Sequence, residues 1–103
     1  MARQTYLIQC GKYGAIKIGS TVNNIERRLK ALQACCPYEL KILHVLKGIK
    51  FSEQRLHYTF DHLRIRGEWF QYSGSLKAFI KDPDPSRILG LKQMRSLKVA
   101  NYK

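Results

Sequence analysis

Acidic residues are scarce in this chain. Among its 103 residues, seven are Asp or Glu and 19 are Lys or Arg, which gives a formal net charge of +12. Such an excess argues against a cationic partner and favours one that carries many negative charges, with nucleic acid as the first candidate. Charge alone does not separate a basic protein that only binds, such as a ribosomal-type protein, from a catalyst.

Long hydrophobic runs are also lacking. No apolar stretch is long enough to span a bilayer, and residues 1–4 lead straight into a predicted strand without a signal-type segment. We therefore expect a cytoplasmic protein with no membrane partner.

Cysteine is too sparse to organise the fold. Cys10, Cys35 and Cys36 form neither a disulfide framework nor a spaced set of zinc ligands. No internal repeat or low-complexity segment is present, and the length fits one domain.

The chain does contain short elements with clear boundaries. Alternating apolar residues predict a strand over 4–10 and, after a glycine-containing turn, a returning strand over 15–19. Asn23 or Asn24 can cap a helix that runs to about residue 35, where a following proline prevents continuation.

The pattern of apolar residues in the next part of the chain predicts a third strand and a second helix. The strand covers residues 38–47, and the helix covers 51–63 with Ser52 as its N-cap. Residues 64–67 are predicted to be a turn, and residues 68–71 a short extended segment.

A third helix around Leu76 and Phe79 ends before a segment with two prolines, residues 82–85. We take residues 1–81 as the compact domain and 82–103 as a basic C-terminal extension. The extension would be a docked amphipathic helix, a dimerisation element or a phosphate-contacting arm, and docking is favoured because its leucines would otherwise face water.

Several short motifs follow one another in a fixed order along residues 4–81. They are Tyr6 in the first strand, Lys17-Ile18-Gly19 in the second, Arg28-Leu29 in the first helix, Glu53 followed four residues later by His57, and Gly67-Glu68-Trp69-Phe70. This order resembles the GIY-YIG nuclease superfamily, and in particular its small phage-type branch.

The resemblance implies an α+β domain in which a three-stranded antiparallel sheet is flanked by helices. It also implies phosphodiester cleavage with one divalent cation, Mg²⁺ or Mn²⁺. In that scheme Tyr6 accepts the proton of the attacking water, Arg28 clamps the phosphate and Glu53 holds the metal. A tyrosine, an arginine and a glutamate suit phosphoryl transfer, which depends mainly on charge neutralisation and positioning.

Two further residues complete the predicted site. Lys17 stands where relatives carry the second signature tyrosine, and a cation beside Tyr6 would favour its phenolate. Many relatives carry His or Tyr where this chain has Leu32, and His57 is our candidate to replace it. Alternatively, His57 bonds a backbone carbonyl and has only a structural role.

The aromatic and acidic residues near position 70 have structural interpretations. Trp69 and Phe70 are expected in the core, although an exposed Trp could stack on an unpaired base. Glu68 is expected to pair with Arg64 or Arg66, and a place in the site is the weaker interpretation.

Two functions from different classes remain. The first is a metal-dependent DNA endonuclease or nickase, and the second a non-catalytic nucleic-acid-binding module on the same fold. Glu53 favours the enzyme, because a bare carboxylate repels phosphate unless a cation lies between them. A third, weaker function is a basic structural protein of a ribonucleoprotein, with RNA as the partner. The resemblance points to a phage or another mobile element, and both monomer and homodimer remain open.

Overall fold

The structure is a computed structural model that describes residues 3–89. Within that range the chain forms five strands and three α-helices. In chain order they are β1 Gln4–Cys10, β2 Ile16–Thr21, α1 Ile25–Gln33, β3 Leu40–Lys47, α2 Glu53–Thr59, β4 Arg64–Arg66, β5 Trp69–Phe70 and α3 Gly74–Lys81.

The predicted three-stranded sheet is wrong, because the described residues form a five-stranded antiparallel sheet in the order β3-β1-β2-β5-β4. The added strands are a small hairpin. Residues 64–66, which we predicted to be part of a turn, pair with β5, and Gly67 closes the hairpin with a φ of 55°. The α+β class is unchanged.

Helices α1 and α2 begin at the N-cap residues that the sequence predicted. Asn24 accepts a hydrogen bond from the Arg27 amide, and Ser52 accepts one from the Arg55 amide. The second helix is shorter than predicted. It ends before Phe60, whose φ of −107° leaves the helical region, and Asp61–Leu63 forms a separate 3₁₀ turn.

The sheet separates two apolar clusters. On the face we call the α2 face, Leu7 and Ile18 lie in one buried cluster with residues of α2 and α3, such as Leu56 and Phe79. On the opposite face, the α1 face, Tyr6 and its neighbours pack against apolar residues of α1. Each fully buried large apolar side chain contributes about 1.5–3 kcal/mol, so both clusters hold the sheet in place.

The end of the described chain returns to the α2 face. Pro85–Arg87 form a 3₁₀ turn, Ile88 is buried in the larger cluster, and the Leu89 amide donates a 2.8 Å hydrogen bond to Thr59 Oγ1. Most of the predicted helix or arm lies at residues 90–103, outside the described residues. No helix within residues 3–89 is long and apolar enough to cross a membrane.

Candidate active site

The predicted site residues gather at one end of β2. Strand β5 pairs with β2 only at Ile16 and Lys17, and the Ile18 amide then donates to the Glu68 carbonyl. Beyond this point β5 has ended, so side chains from both faces of the sheet can meet around Gly19 and Ser20.

Tyr6 and Arg28 meet on the α1 face. Tyr6 is fully buried, and the exposed Arg28 donates from Nε to the Tyr6 hydroxyl at 3.4 Å. This hydrogen bond is the main reason that the pKa of Arg28 is raised, so its guanidinium stays charged. A cation therefore touches the hydroxyl that the resemblance assigns to proton transfer.

Gly19 makes the position of Tyr6 feasible. The two residues are directly opposite each other across β1 and β2. A Cβ at position 19 would lie 2.4 Å from the Tyr6 hydroxyl oxygen and 2.5 Å from Cζ, well inside van der Waals contact. The glycine of the Lys17-Ile18-Gly19 motif is thus required by close packing.

Lys17 has partners other than Tyr6. Its Nζ lies 3.0 Å from Glu68 Oε1 and 5.4 Å from the centre of the Trp69 ring. We had expected Lys17 to be the cation beside Tyr6, and in the structure Arg28 makes that contact. Lys17 instead positions a carboxylate.

Glu53 approaches from the α2 face. Ser20 Oγ donates a 2.6 Å hydrogen bond to Glu53 Oε1, and Arg3 donates to Ser20 Oγ at 3.1 Å. Glu53 lies in an open cavity of about 470 Å³, lined by Arg3, Ser20, Ser52, Glu53, Gln54, His57 and Arg64. The cavity thus combines a carboxylate with two arginines.

Glu53 and Glu68 are close enough for each carboxyl group to affect the pKa of the other. Burial is the largest influence on the pKa of Glu53 and raises it; contact with Glu68 adds to the rise, which the Ser20 bond only partly offsets. Burial also acts to raise the pKa of Glu68, but the hydrogen bonds from Glu53 and Lys17 outweigh it, and the net pKa is lowered. The two pKa values therefore shift in opposite directions, with Glu53 the harder of the two carboxyl groups to ionise.

His57 is held by the backbone. Its Nε2 lies 2.8 Å from the Ile18 carbonyl oxygen and 3.5 Å from Glu53 Oε2. Because a carbonyl only accepts, Nε2 must carry the hydrogen, and a proton could be accepted only at Nδ1. This geometry favours the structural alternative for His57, in which it binds the free carbonyl of the β2 edge and orients Glu53.

The site's donor set fits a hard divalent cation. Mg²⁺ is usually bound by one or two carboxylates and completes its shell with water and substrate phosphate. Glu53 and Glu68 are such a pair. No complete cluster of three or more His, Cys, Asp or Glu side chains occurs in the described part of the chain, so a protein-enclosed metal site of the zinc type does not fit.

Sequence reasoning missed two contributors, Ser20 and Arg3, and gave Glu68 a place in the site only as the weaker interpretation. Ser20 directly follows the Lys17-Ile18-Gly19 motif, and this adjacency is the signal that could have identified it. Arg3 reaches the site only because β1 and β2 are paired. Glu68 was expected beside Arg64 or Arg66, but it pairs with Lys17, while Arg64 donates to Asp61 at 2.9 Å.

Comparison with known proteins gives one match. The family model of the T5orf172 domain matches residues 4–83, a range that includes every predicted site residue. No curated protein and no solved structure matches the chain.

Proposed function

The chain belongs to the T5orf172 domain family, and from this premise we propose that it is a metal-dependent DNA endonuclease with a site of the GIY-YIG type. The family supports a role connected with nucleic acid. The resemblance in motif order and the geometry at the end of β2 support the finer proposal that the chain hydrolyses phosphodiester bonds.

The observation that carries the proposal is the pair of neighbouring carboxyl groups of Glu53 and Glu68, each of which affects the pKa of the other. The chain has seven acidic residues, yet two of them lie against each other beside Arg3 and Arg28. For binding DNA alone this arrangement is unfavourable, because carboxylates repel phosphate. A divalent cation bound by these carboxylates would remove that repulsion.

Glu53, with Glu68 beside it, would hold this cation. A bound Mg²⁺ or Mn²⁺ supplies charge stabilisation to the phosphate oxygens during hydrolysis. Lys17 keeps Glu68 ionised and directed towards Glu53, and Ser20 fixes one oxygen of Glu53.

The arginines bind and orient the phosphate. Arg28 is exposed and offers a planar set of donors that suits two phosphate oxygens. Arg3 and Arg64 line the Glu53 cavity and extend the positive surface along the backbone of the nucleic acid.

Tyr6 is proposed to accept a proton from the attacking water. In the structure its hydroxyl is buried and in contact with Arg28. When Arg28 turns towards a phosphate, that contact is released and the hydroxyl becomes available to water.

A plasmid assay with two matched variants tests the proposal. In Mg²⁺ or Mn²⁺ the wild type should convert supercoiled plasmid to nicked or linear DNA. Glu53→Gln should bind DNA but not cut it, because glutamine keeps the hydrogen-bonding shape and loses the ability to hold a cation. Glu39→Gln, which changes an exposed glutamate outside the site, should cut normally.

A non-catalytic nucleic-acid-binding module is the second candidate. The complete burial of Tyr6 favours it, since no water reaches the hydroxyl while Arg28 covers it. Wild-type protein that shifts DNA on a gel under all metal conditions, without any cleavage, would establish this second function instead.

A further inference from the structure

An apolar cavity lies on the sheet away from the Glu53 site. It has a volume of about 670 Å³, within the usual range for small-ligand sites. It opens between the β1–β2 turn and the β4–β5 hairpin. Its lining includes the aromatic side chains Tyr38 and Trp69, the aliphatic Ile65, and the cations Lys12 and Arg66.

The large apolar side chains that line this cavity are unusually exposed to solvent. Tyr38 is 65% exposed and Ile65 is 57% exposed, although both are large apolar side chains. Trp69 lies beside them, and its ring is held by the Lys17 ammonium. Exposed apolar groups that gather around one concavity usually mark a binding surface, whereas scattered ones need no explanation.

The rim of this cavity is cationic. Lys12 lies in the β1–β2 turn and Arg66 at the end of β4, and both are exposed. Glu68, the acidic neighbour of Trp69, is neutralised by its ion pair with Lys17. A flat apolar group that carries phosphate on its flanks is complementary to this combination, since aromatic side chains stack on the base and the cations meet the backbone.

The cavity lies on the same face of the sheet as Tyr6. Along β1 the residues on this face are Tyr6, Ile8 and Cys10, and Cys10 lines the cavity. Four residues of a strand span roughly 13 Å, which is about the axial length of four base pairs in duplex DNA. One bound nucleic acid can therefore reach both places.

We propose that this cavity receives an unpaired nucleobase, so that the preferred substrate is DNA with an extrahelical or single-stranded nucleotide a few positions from the cleaved bond. The inference rests on the proposed function for its choice of nucleic acid as the partner and for the position of the cleaved bond, whereas binding of the unpaired base does not depend on cleavage. A paired base does not fit, because its two faces are covered by its neighbours in the stack. Stacking with side chains requires an exposed face.

Trp69 provides a direct readout, because it is the one tryptophan in the sequence. Its fluorescence is measured in EDTA, where cleavage cannot interfere, during titration with a blunt-ended duplex of two DNA strands that carries one extrahelical adenine. The control is the same duplex with full pairing. We expect quenching by the first duplex only, and an affinity at least roughly fivefold higher for it, as expected for one stacked base.

Matched variants localise the effect. Tyr38→Ala and Ile65→Ala should reduce the preference for the extrahelical base, whereas Ile49→Ala should leave it unchanged. Ile49 is a suitable control because it is 70% exposed and does not line the cavity. Equal affinity for both duplexes, or a preference that survives Tyr38→Ala, would overturn the inference.

Other occupants give different results. If sedimentation shows a dimer that Ile65→Ala dissociates, the surface binds a second copy of the chain, and the inference is wrong. A protein that prefers the extrahelical base but never cuts DNA would retain this inference and lose the endonuclease proposal. A protein that cuts DNA but shows no preference for the extrahelical base would retain the endonuclease proposal and lose this inference.

Discussion

Replacing Gly19 by alanine tests how tightly the Tyr6 hydroxyl is held. In an ordinary strand, Gly→Ala stabilises a protein by about 0.4–1 kcal/mol, because the unfolded chain loses freedom. Here the new Cβ would lie 2.4 Å from the Tyr6 oxygen, so the ring or the strand must move by about 1 Å to restore normal contact. Overpacking of this kind costs about 1–3 kcal/mol.

The expected net effect is a destabilisation of about 1–2 kcal/mol, which corresponds to a fall in Tm of roughly 4–8 °C per kcal/mol for a domain of this size. Differential scanning calorimetry measures it. Plasmid cleavage should fall further than the folded fraction does, because the displaced hydroxyl leaves Arg28.

A double-mutant cycle identifies the cause. Tyr6→Leu removes the atoms that Cβ would strike, so Gly19→Ala should cost little in that background. An equal cost in both backgrounds, or a stabilisation of the wild type by Gly19→Ala, would refute the packing argument.

Three other perturbations have defined outcomes. Burial raises the pKa of Glu53 above its ordinary value of 4.5, so the folded state holds the proton of this carboxyl group more tightly than the unfolded chain does. In EDTA the free energy of unfolding should therefore fall as pH rises through the raised pKa, and Glu53→Gln should flatten this slope in a pH series of urea melts. Glu68, whose pKa is lowered, contributes only in the acid range. The sulfurs of Cys10 and Cys36 lie 3.8 Å apart, and the two residues should form a disulfide under a mild oxidant. The mass should fall by about 2 Da and the free energy of unfolding should rise by about 3 kcal/mol. Unchanged thiol counts would contradict this. Arg28→Ala should lower the cleavage rate by about 10²–10³ with a modest loss of affinity, and an equal loss of both, measured by gel shift and single-turnover cleavage, would remove its assigned role.

Local signals predicted much of the fold. The alternation in residues 4–10 predicted β1 correctly, and the caps at Asn24 and Ser52 predicted where two helices begin. These features depend on neighbouring residues, so the sequence pattern is sufficient. The α+β class was implied by the resemblance in motif order.

The small hairpin could not be predicted in this way. Residues 64–66 form a three-residue strand, too short for alternation to show. It is defined by pairing with β5, which in turn pairs with β2, about 50 residues earlier in the chain. Missing it made the predicted sheet two strands too small.

The same long-range pairing explains what was missed in the site. Glu68 reaches Glu53 and Lys17 only because β5 lies beside β2. The order of the motifs predicted that Tyr6, Arg28 and Glu53 lie near one another, but it did not predict which residues each of them contacts. The catalytic roles assigned to them, and to Lys17 and His57, stay predictions.

The central claim is that the Glu53 site holds a divalent cation and cuts DNA. The most direct measurement follows supercoiled plasmid with wild type, Glu53→Gln and Glu39→Gln, in Mg²⁺, in Mn²⁺ and in EDTA. We predict nicked or linear products only with a metal, from wild type and Glu39→Gln, with Glu53→Gln inactive although it still binds DNA. Cleavage by Glu53→Gln, or none by the wild type in either metal, would contradict the claim.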